Sequence, residues 1–256
     1  MSRIVLTQPK VGNMDVIRTK PYFPLGILSA ASLADREFDI KLIDQRVDKN
    51  WRKNLKKELR QNPLMVATTS MTGRQIKHAL EISRVVKENS DVPVVWGGVH
   101  PSILPGQTLE NKNVDIVVKG EGEVTMLELG RALEKGKSLK GIKGVWYKEN
   151  GVIKQNRDRE FVDLNKMPDI PYHLIDINEY CLHYNNKKSI SIETSRGCVY
   201  SCSYCYNNVI NKRIWRALNS KKVVERFKHI YETFGIKNLY VVDDNFFISS
   251  KRCKDI

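Results

Sequence analysis

The chain has 256 residues, enough for two domains, and its 41% hydrophobic and 28% charged residues make an ordinary globular balance that excludes a disordered tail or a collagen-like fibre. No apolar run reaches the roughly 18 residues of a membrane-spanning helix, and Met1-Ser2-Arg3-Ile4-Val5-Leu6 lacks the zones of a signal peptide, so a cytoplasmic protein is expected. Lys and Arg number 43 against 29 acids, a net +14 of which residues 187–256 carry +8; such an excess would suit nucleic acid or an anionic cofactor, but without a long basic run or a basic–aromatic stripe background composition is the preferred reading, and nucleic acid is not an expected partner.

Short Val/Ile-rich runs at Ile4–Thr7, Ile40–Asp44, Leu64–Thr68, Val92–Trp96 and Val114–Val118 predict five strands, mostly apolar on both faces. Between them, amphipathic stretches predict helices at Leu25–Asp35, Trp51–Gln61, Arg74–Glu88 and Glu123–Glu134. In the third, Ile76, Ala79, Leu80, Ile82, Val85 and Val86 fall at helical spacing. Only one helical turn, near Gln107–Glu110, is expected between the fourth and fifth strands. The alternation predicts an α/β domain over residues 1–142, a doubly wound, five-stranded parallel sheet of Rossmann-like form.

Residues 143–186 follow as a hairpin and connector. Glu149-Asn150-Gly151 between Gly144–Lys148 and Val152–Lys154 is a strong turn signal. Phe161–Tyr180, with Met167-Pro168-Asp169-Ile170-Pro171, is aperiodic but has apolar anchors. Residues 187–256 begin a second α/β unit: a strand at Ser189–Glu193, a helix at Ser220–Phe234 and a strand at Asn238–Val242. Two βα units cannot close a parallel barrel, so the chain is expected to be a C-terminally truncated fragment whose last part is an incomplete barrel.

Five cysteines are unevenly placed: none precedes Cys181, and Cys198, Cys202 and Cys205 fall within eight residues. Bunching of an odd number argues for metal or redox chemistry over a disulfide framework. Three thiolates on one loop can hold three irons of a 4Fe–4S cube and leave the fourth open to a ligand. A structural zinc site would need a fourth Cys or His, the nearest downstream His being His229; buried cysteines of no function are the blander alternative.

The stretch Thr194-Ser195-Arg196-Gly197-Cys198-Val199-Tyr200-Ser201-Cys202-Ser203-Tyr204-Cys205 resembles the signature loop of the radical S-adenosylmethionine superfamily. The resemblance implies that Cys198, Cys202 and Cys205 ligate the 4Fe–4S cluster and that Tyr204 lies beside the adenine of S-adenosylmethionine. It also implies reductive cleavage to a 5′-deoxyadenosyl radical, with an external electron donor such as a flavodoxin or ferredoxin. Val199 departs from the proline common in relatives. Asp243-Asp244-Asn245-Phe246, at a strand's carboxyl end, is similar to the version found in cobalamin-dependent relatives, where Asp243 and Asp244 would meet the methionine ammonium; a helix cap is the alternative for either residue.

Ahead of this loop, Gly97-Gly98 and Lys119-Gly120-Glu121-Gly122 follow the fourth and fifth strands, where open α/β sheets bind ligands. With Ser70 after the third strand, the arrangement resembles the cobalamin-binding domain of cobalamin-dependent radical enzymes and implies cobalamin contacts from Ser70, Gly97, Gly98, Gly120 and Glu121. Two departures stand out. Gln8-Pro9-Lys10-Val11-Gly12 occupies the place of the Asp-x-His-x-x-Gly motif, and Met71-Thr72 lacks the Leu of Ser-x-Leu. Cobalamin is therefore expected without histidine below cobalt, and His100, after a different strand, is expected to be a loop residue satisfied by backbone.

The function implied is methylation or rearrangement of an unactivated carbon of a small-molecule substrate. One alternative is methylthiotransferase-like modification of RNA or protein, whose N-terminal domain would carry three further cysteines that residues 1–180 lack. The other is a non-catalytic iron–sulfur or corrinoid carrier.

Overall fold

Strand β1 (Arg3–Gln8) sends Ile4 and Leu6 into one apolar layer and Val5 into another, all fully buried. Alternate side chains of a strand point to opposite faces, so both faces of this sheet need cover. The structure, a computed structural model, describes residues 1–12, 15, 20–184 and 187–256. It places helices α1 (Leu25–Ala31), α2 (Trp51–Leu59), α3 (Arg74–Asn89), α4 (Val99–Ile103), α5 (Pro105–Glu110) and α6 (Glu123–Glu134) around the sheet. Ile27, Ala31, Met126 and Leu129 from α1 and α6 fill the layer of Ile4 and Leu6. Trp51, Leu55, Ile82 and Val86 from α2 and α3 fill the layer of Val5. Each fully buried Ile, Leu, Val or Met among them contributes on the order of 1.5–3 kcal/mol.

The strands β2 (Asp39–Asp44), β3 (Val66–Thr69), β4 (Val94–Gly97) and β5 (Ile116–Val118) run parallel to β1, in the order β2-β1-β3-β4-β5. This is the doubly wound parallel arrangement the apolar runs predict. Between β4 and β5 there are two short helices where one turn was expected: Gly98 at φ +93° opens α4, and Pro105 opens α5 without a lost hydrogen bond.

The hairpin β6 (Val145–Glu149) and β7 (Val152–Gln155) turns at Asn150 and Gly151, both at positive φ, as the Asn-Gly signal predicts. The domain boundary at 142/143 does not hold. β6 pairs antiparallel with β5 through Ile116↔Tyr147 and Val118↔Val145, so the hairpin completes a seven-stranded sheet. Val145 and Tyr147 are buried in the first core, which no local sequence signal reveals. The first compact unit runs to Phe161, apart from residues 20–25, and takes in Ile170–Asp176, while residues 20–25, Val162–Asp169 and Ile177–Ile256 belong to the second, so the connector is shared.

In the second unit, β9 (Lys187–Ile192) lies between β8 (Leu182–Tyr184), antiparallel, and β12 (Asn238–Val241), parallel. Between β9 and β12 come β10 (Ser195–Arg196), α7 (Asn207–Ile210), β11 (Arg216–Ala217) and α8 (Ser220–Phe234). Helix α8 is the crossover that lets β9 and β12 run parallel. Asn219 caps its start by accepting from Lys222 N at 2.8 Å, and Gly235 at φ +65° ends it. Val223 and Ile230 of α8 and Ile190 and Ile192 of β9 are fully buried. A last helix, α9 (Ser250–Asp255), follows β12. No helix among the described residues is long and apolar enough to cross a membrane.

Candidate cofactor sites

The cysteine loop leaves the carboxyl end of β9 and is pinned at its base. Gly197 sits at φ +86°, where an added Cβ would lie 2.0 Å from the Ile214 carbonyl oxygen, so only glycine fits. Beside it, Ser195 and Arg196 pair with Ala217 and Arg216 across β10 and β11. Asp243, just past β12, accepts three hydrogen bonds at 2.6 Å, from Thr194 N, Thr194 Oγ1 and Ser195 Oγ. Asp244 accepts from Gly197 N at 2.7 Å and, more distantly, from Tyr206 Oη at 3.5 Å. Burial, and then the negative charge of Asp244, push the Tyr206 phenol above its ordinary value.

Arg252, on α9, closes this network from the far side. Its Nη2 donates to Thr194 O at 3.0 Å and Thr194 Oγ1 at 2.8 Å, and its Nε donates to Leu218 O at 2.9 Å. The Thr194 hydroxyl thus accepts a hydrogen bond from the cation and donates one to Asp243, linking the two charges through one oxygen. Nη1 is buried without a hydrogen bond, and the guanidinium lies 5.8 Å and 5.4 Å from the ring centroids of Trp215 and Phe246. Burial lowers the Arg252 pKa, and Asp243 opposes that shift.

Beyond this base the loop opens. Cys198, Cys202 and Cys205 are free thiols, the first and third half-buried and the second exposed. Cys205 N donates to Cys202 O at 3.0 Å, which brings the last two cysteines into one turn. Tyr204 is 90% exposed beside them. Cys181 is buried, and Cys253 Sγ donates to Phe246 O at 3.5 Å. Among the described residues no three His, Cys, Asp or Glu converge to hold a single ion. A cube differs from a zinc ion in this respect, because each thiolate takes its own iron and the sulfurs need not share one shell. Three free thiols on one anchored loop fit that donor set.

In the first unit the predicted residues gather at the carboxyl ends of β3, β4 and β5. Ser70 is fully buried; its N donates to Gly97 O and its O accepts from His100 N, each at 2.9 Å. Gly98 is required by the fold: an added Cβ would lie 2.5 Å from Thr69 Oγ1 and 3.0 Å from Ser70 N and O. Gly97 and Gly120 differ, since a Cβ on Gly97 would meet nothing nearer than Val118 O at 3.9 Å and one on Gly120 nothing within 4 Å. That open space over backbone suits a bulky ligand lying close to the sheet ends. Glu121 is half-buried ahead of α6.

Two residues here escaped the sequence reading. Ser102 Oγ donates to Gly98 O at 2.7 Å and accepts from Gly120 N at 2.9 Å, joining the two glycine loops. Gln75 accepts from Met71 N at 2.7 Å and donates to Pro9 O at 3.3 Å, joining the loops after β3 and β1. The only available signal was Ser102 four residues after Gly98 at a helix start. His100 is buried, and its Nδ1 pairs with the Thr72 hydroxyl at 3.2 Å, so a side chain holds the ring where backbone was expected. Burial lowers its pKa, which favours the neutral ring.

The family described as B12 binding domain matches residues 18–130. An uncharacterized methyltransferase of Pyrococcus horikoshii is 32% identical over 237 residues, which cover 91% of this chain and 51% of that one. The cobalamin-dependent S-adenosylmethionine radical enzyme OxsB, solved with aqua-cobalamin and S-adenosylmethionine bound, superimposes with a TM-score of 0.79 at 25% identity, over 100% of this chain and 36% of that one. The radical S-adenosylmethionine methyltransferase TsrM of Kitasatospora setae, solved with cobalamin and a [4Fe-4S] cluster, shares the fold with a TM-score of 0.77 at 22% identity, over 100% of this chain and 50% of that one. The chain spans about half the length of the curated relatives it matches, or less.

Proposed function

Because the chain belongs to the radical S-adenosylmethionine enzymes that carry a cobalamin-binding domain, we propose that it serves a reductive radical reaction that methylates or rearranges an unactivated carbon of a small molecule. When bound, the cluster supplies the electron that cleaves the sulfonium carbon–sulfur bond of S-adenosylmethionine, and cobalamin supplies the cobalt that carries a methyl group. Cys198, Cys202 and Cys205 would hold three irons, leaving the fourth for the amino and carboxylate groups of the methionine moiety. Tyr204, exposed beside Cys205, would lie against the adenine.

The two carboxylates divide the work. Asp243 has three of its roughly four acceptor positions filled by Thr194 and Ser195, so it shapes the loop. Among the described residues Asp244 Oδ1 has only the 3.5 Å contact from Tyr206, and it retains capacity to accept from an ammonium. In the first unit, Gly97, Gly98, Gly120 and Glu121 would line the cobalamin site, with the corrinoid nucleotide over the open faces of Gly97 and Gly120, while Ser70, fully buried and bonded to Gly97 and His100, would hold the loops behind them. His100, buried after β4 and paired through Nδ1 to Thr72, serves in this reading as a residue that joins two loops and not as a cobalt ligand.

The observation that carries this reading is the loop of three free thiols pinned at its base by Asp243 and Asp244. Anaerobic reconstitution with iron and sulfide should load about four irons per chain in an oxygen-sensitive chromophore. Cys198→Ala, Cys202→Ala and Cys205→Ala should each abolish it, while Cys181→Ala and Cys253→Ala should leave it intact. Loss of iron from a folded Cys181→Ala protein would reject the open-iron assignment.

A further inference from the structure

Asn245 Nδ2 lies 3.9 Å from Cys198 Sγ, within hydrogen-bond reach of sulfur. A second bond decides which end of the amide faces the thiol. Asn245 Oδ1 accepts from the Phe247 N–H at 3.2 Å and caps the 3-10 turn Phe246–Ile248. A backbone N–H only donates, so the amide oxygen must occupy that side and the NH2 group must face Cys198. The Asn245 carbonyl accepts from Trp215 Nε1 at 3.1 Å, which fixes the residue from a third direction.

Capping alone does not call for asparagine, because Asp and Ser cap as well. Asp cannot donate to sulfur, and Ser is too short to cap and reach Cys198 together. Asparagine alone among these residues does both.

We infer that Asn245 positions the Cys198 thiolate and raises the reduction potential of the cluster that the loop holds, an inference resting on the three-cysteine reading above. The Nδ2–H dipole points its positive end at sulfur. It therefore stabilises the form carrying one more electron over the form carrying one fewer, and hydrogen bonds to cluster sulfurs are a recognised control on potential. The electron comes from an external one-electron reductant of the flavodoxin or ferredoxin class, and no proton or covalent bond changes in the step.

The test is a redox titration of the reconstituted chain, followed by the electron paramagnetic resonance signal of the reduced cluster. Asn245→Asp and Asn245→Ser both keep a cap acceptor and remove the donor. Each should still load iron and should lower the equilibrium constant for reduction about threefold to tenfold, the latter being ~59 mV for one electron. Asn245→Asp should move at least as far as Asn245→Ser, because it adds a negative charge beside the sulfur. A loaded variant with the wild-type potential would overturn the inference. So would loss of iron from both variants, which would assign Asn245 to folding instead. A wild-type chain that takes up no iron would refute the cluster reading itself, a result distinct from either.

Discussion

The two candidate sites sit on the same scaffold, the carboxyl ends of parallel strands, yet they are held by opposite means. Around the glycine loops of the first unit the ties between loops are mostly neutral: Ser102 between Gly98 and Gly120, Gln75 between Met71 and Pro9, and backbone pairs around Ser70, with one ion pair, Lys119 to Asp158, at the loop's edge. Around the cysteine loop they are charged: Asp243, Asp244 and the buried Arg252. The difference follows from what each loop has available to bury. The glycine loops emerge from strands whose side chains fill two cores, so packing has already fixed their ends. Between Cys198 and Cys205 the apolar candidates Val199, Tyr200 and Tyr204 are exposed. A loop that keeps its thiols accessible cannot be pinned by burial, and charge-assisted hydrogen bonds, worth about 1.5–3 kcal/mol each, take that place.

The sharpest way to break this contrast is Gly197→Ala. Its methyl would overlap the Ile214 carbonyl at 2.0 Å, in a left-handed conformation that itself disfavours side chains. A cost of about 3 kcal/mol or more is expected, with loss of iron loading and little change in the first unit's unfolding. A Gly197→Ala chain that loads iron normally would show that the loop base need not be rigid.

A smaller effect separates the paired glycines. Gly98→Ala should destabilise the first unit by about 2 kcal/mol, since Thr69 and Ser70 crowd that position. Gly97→Ala should stay within about 0.5 kcal/mol of the parent, because its methyl points into open space. It should nevertheless weaken cobalamin binding at least tenfold in an absorbance titration. Unaltered cobalamin affinity in a folded Gly97→Ala protein would remove Gly97 from the site.

The smallest effect concerns His100, whose pKa burial holds below 6.5. At higher pH the ring is neutral in both folded and unfolded chains, and its contribution is fully present. As the pH falls below 6.5, the unfolded chain takes up a proton that the folded chain resists, so stability drops. His100→Gln should flatten that part of the acid limb of a denaturation series. An unchanged limb would mean that the ring is protonated equally in both states.

The parts of this architecture legible in the sequence are those written in neighbouring residues. Alternating Val/Ile runs and helical stripes marked β1–β5 and their helices because burial on both faces leaves a local pattern. The spacing of Cys198, Cys202 and Cys205 and the Asn150-Gly151 turn were legible because each is a short motif complete within a few adjacent residues. What stayed hidden depends on residues distant in the chain. Pairing of Val145 and Tyr147 with β5 needed the partner strand to be known. Asp243 resembled a ligand contact, and its three donors lie far upstream. Arg252 carried no signal at all in a lysine-rich tail, although it spans Thr194 and Leu218.

That separation along the chain sets an order of events during synthesis. Gly197 and Asp244 are 47 positions apart, Thr194 and Asp243 are 49, and Thr194 and Arg252 are 58. A ribosome that has just delivered the three cysteines has delivered none of the side chains that clamp their loop. The thiols emerge on an unanchored segment and acquire fixed positions only once α9 has left the exit tunnel and folded back. If the loop holds the proposed cluster, iron that is to meet a preformed loop would have to arrive after residue 252 has been made, and machinery that loads metal earlier would be meeting a loose peptide.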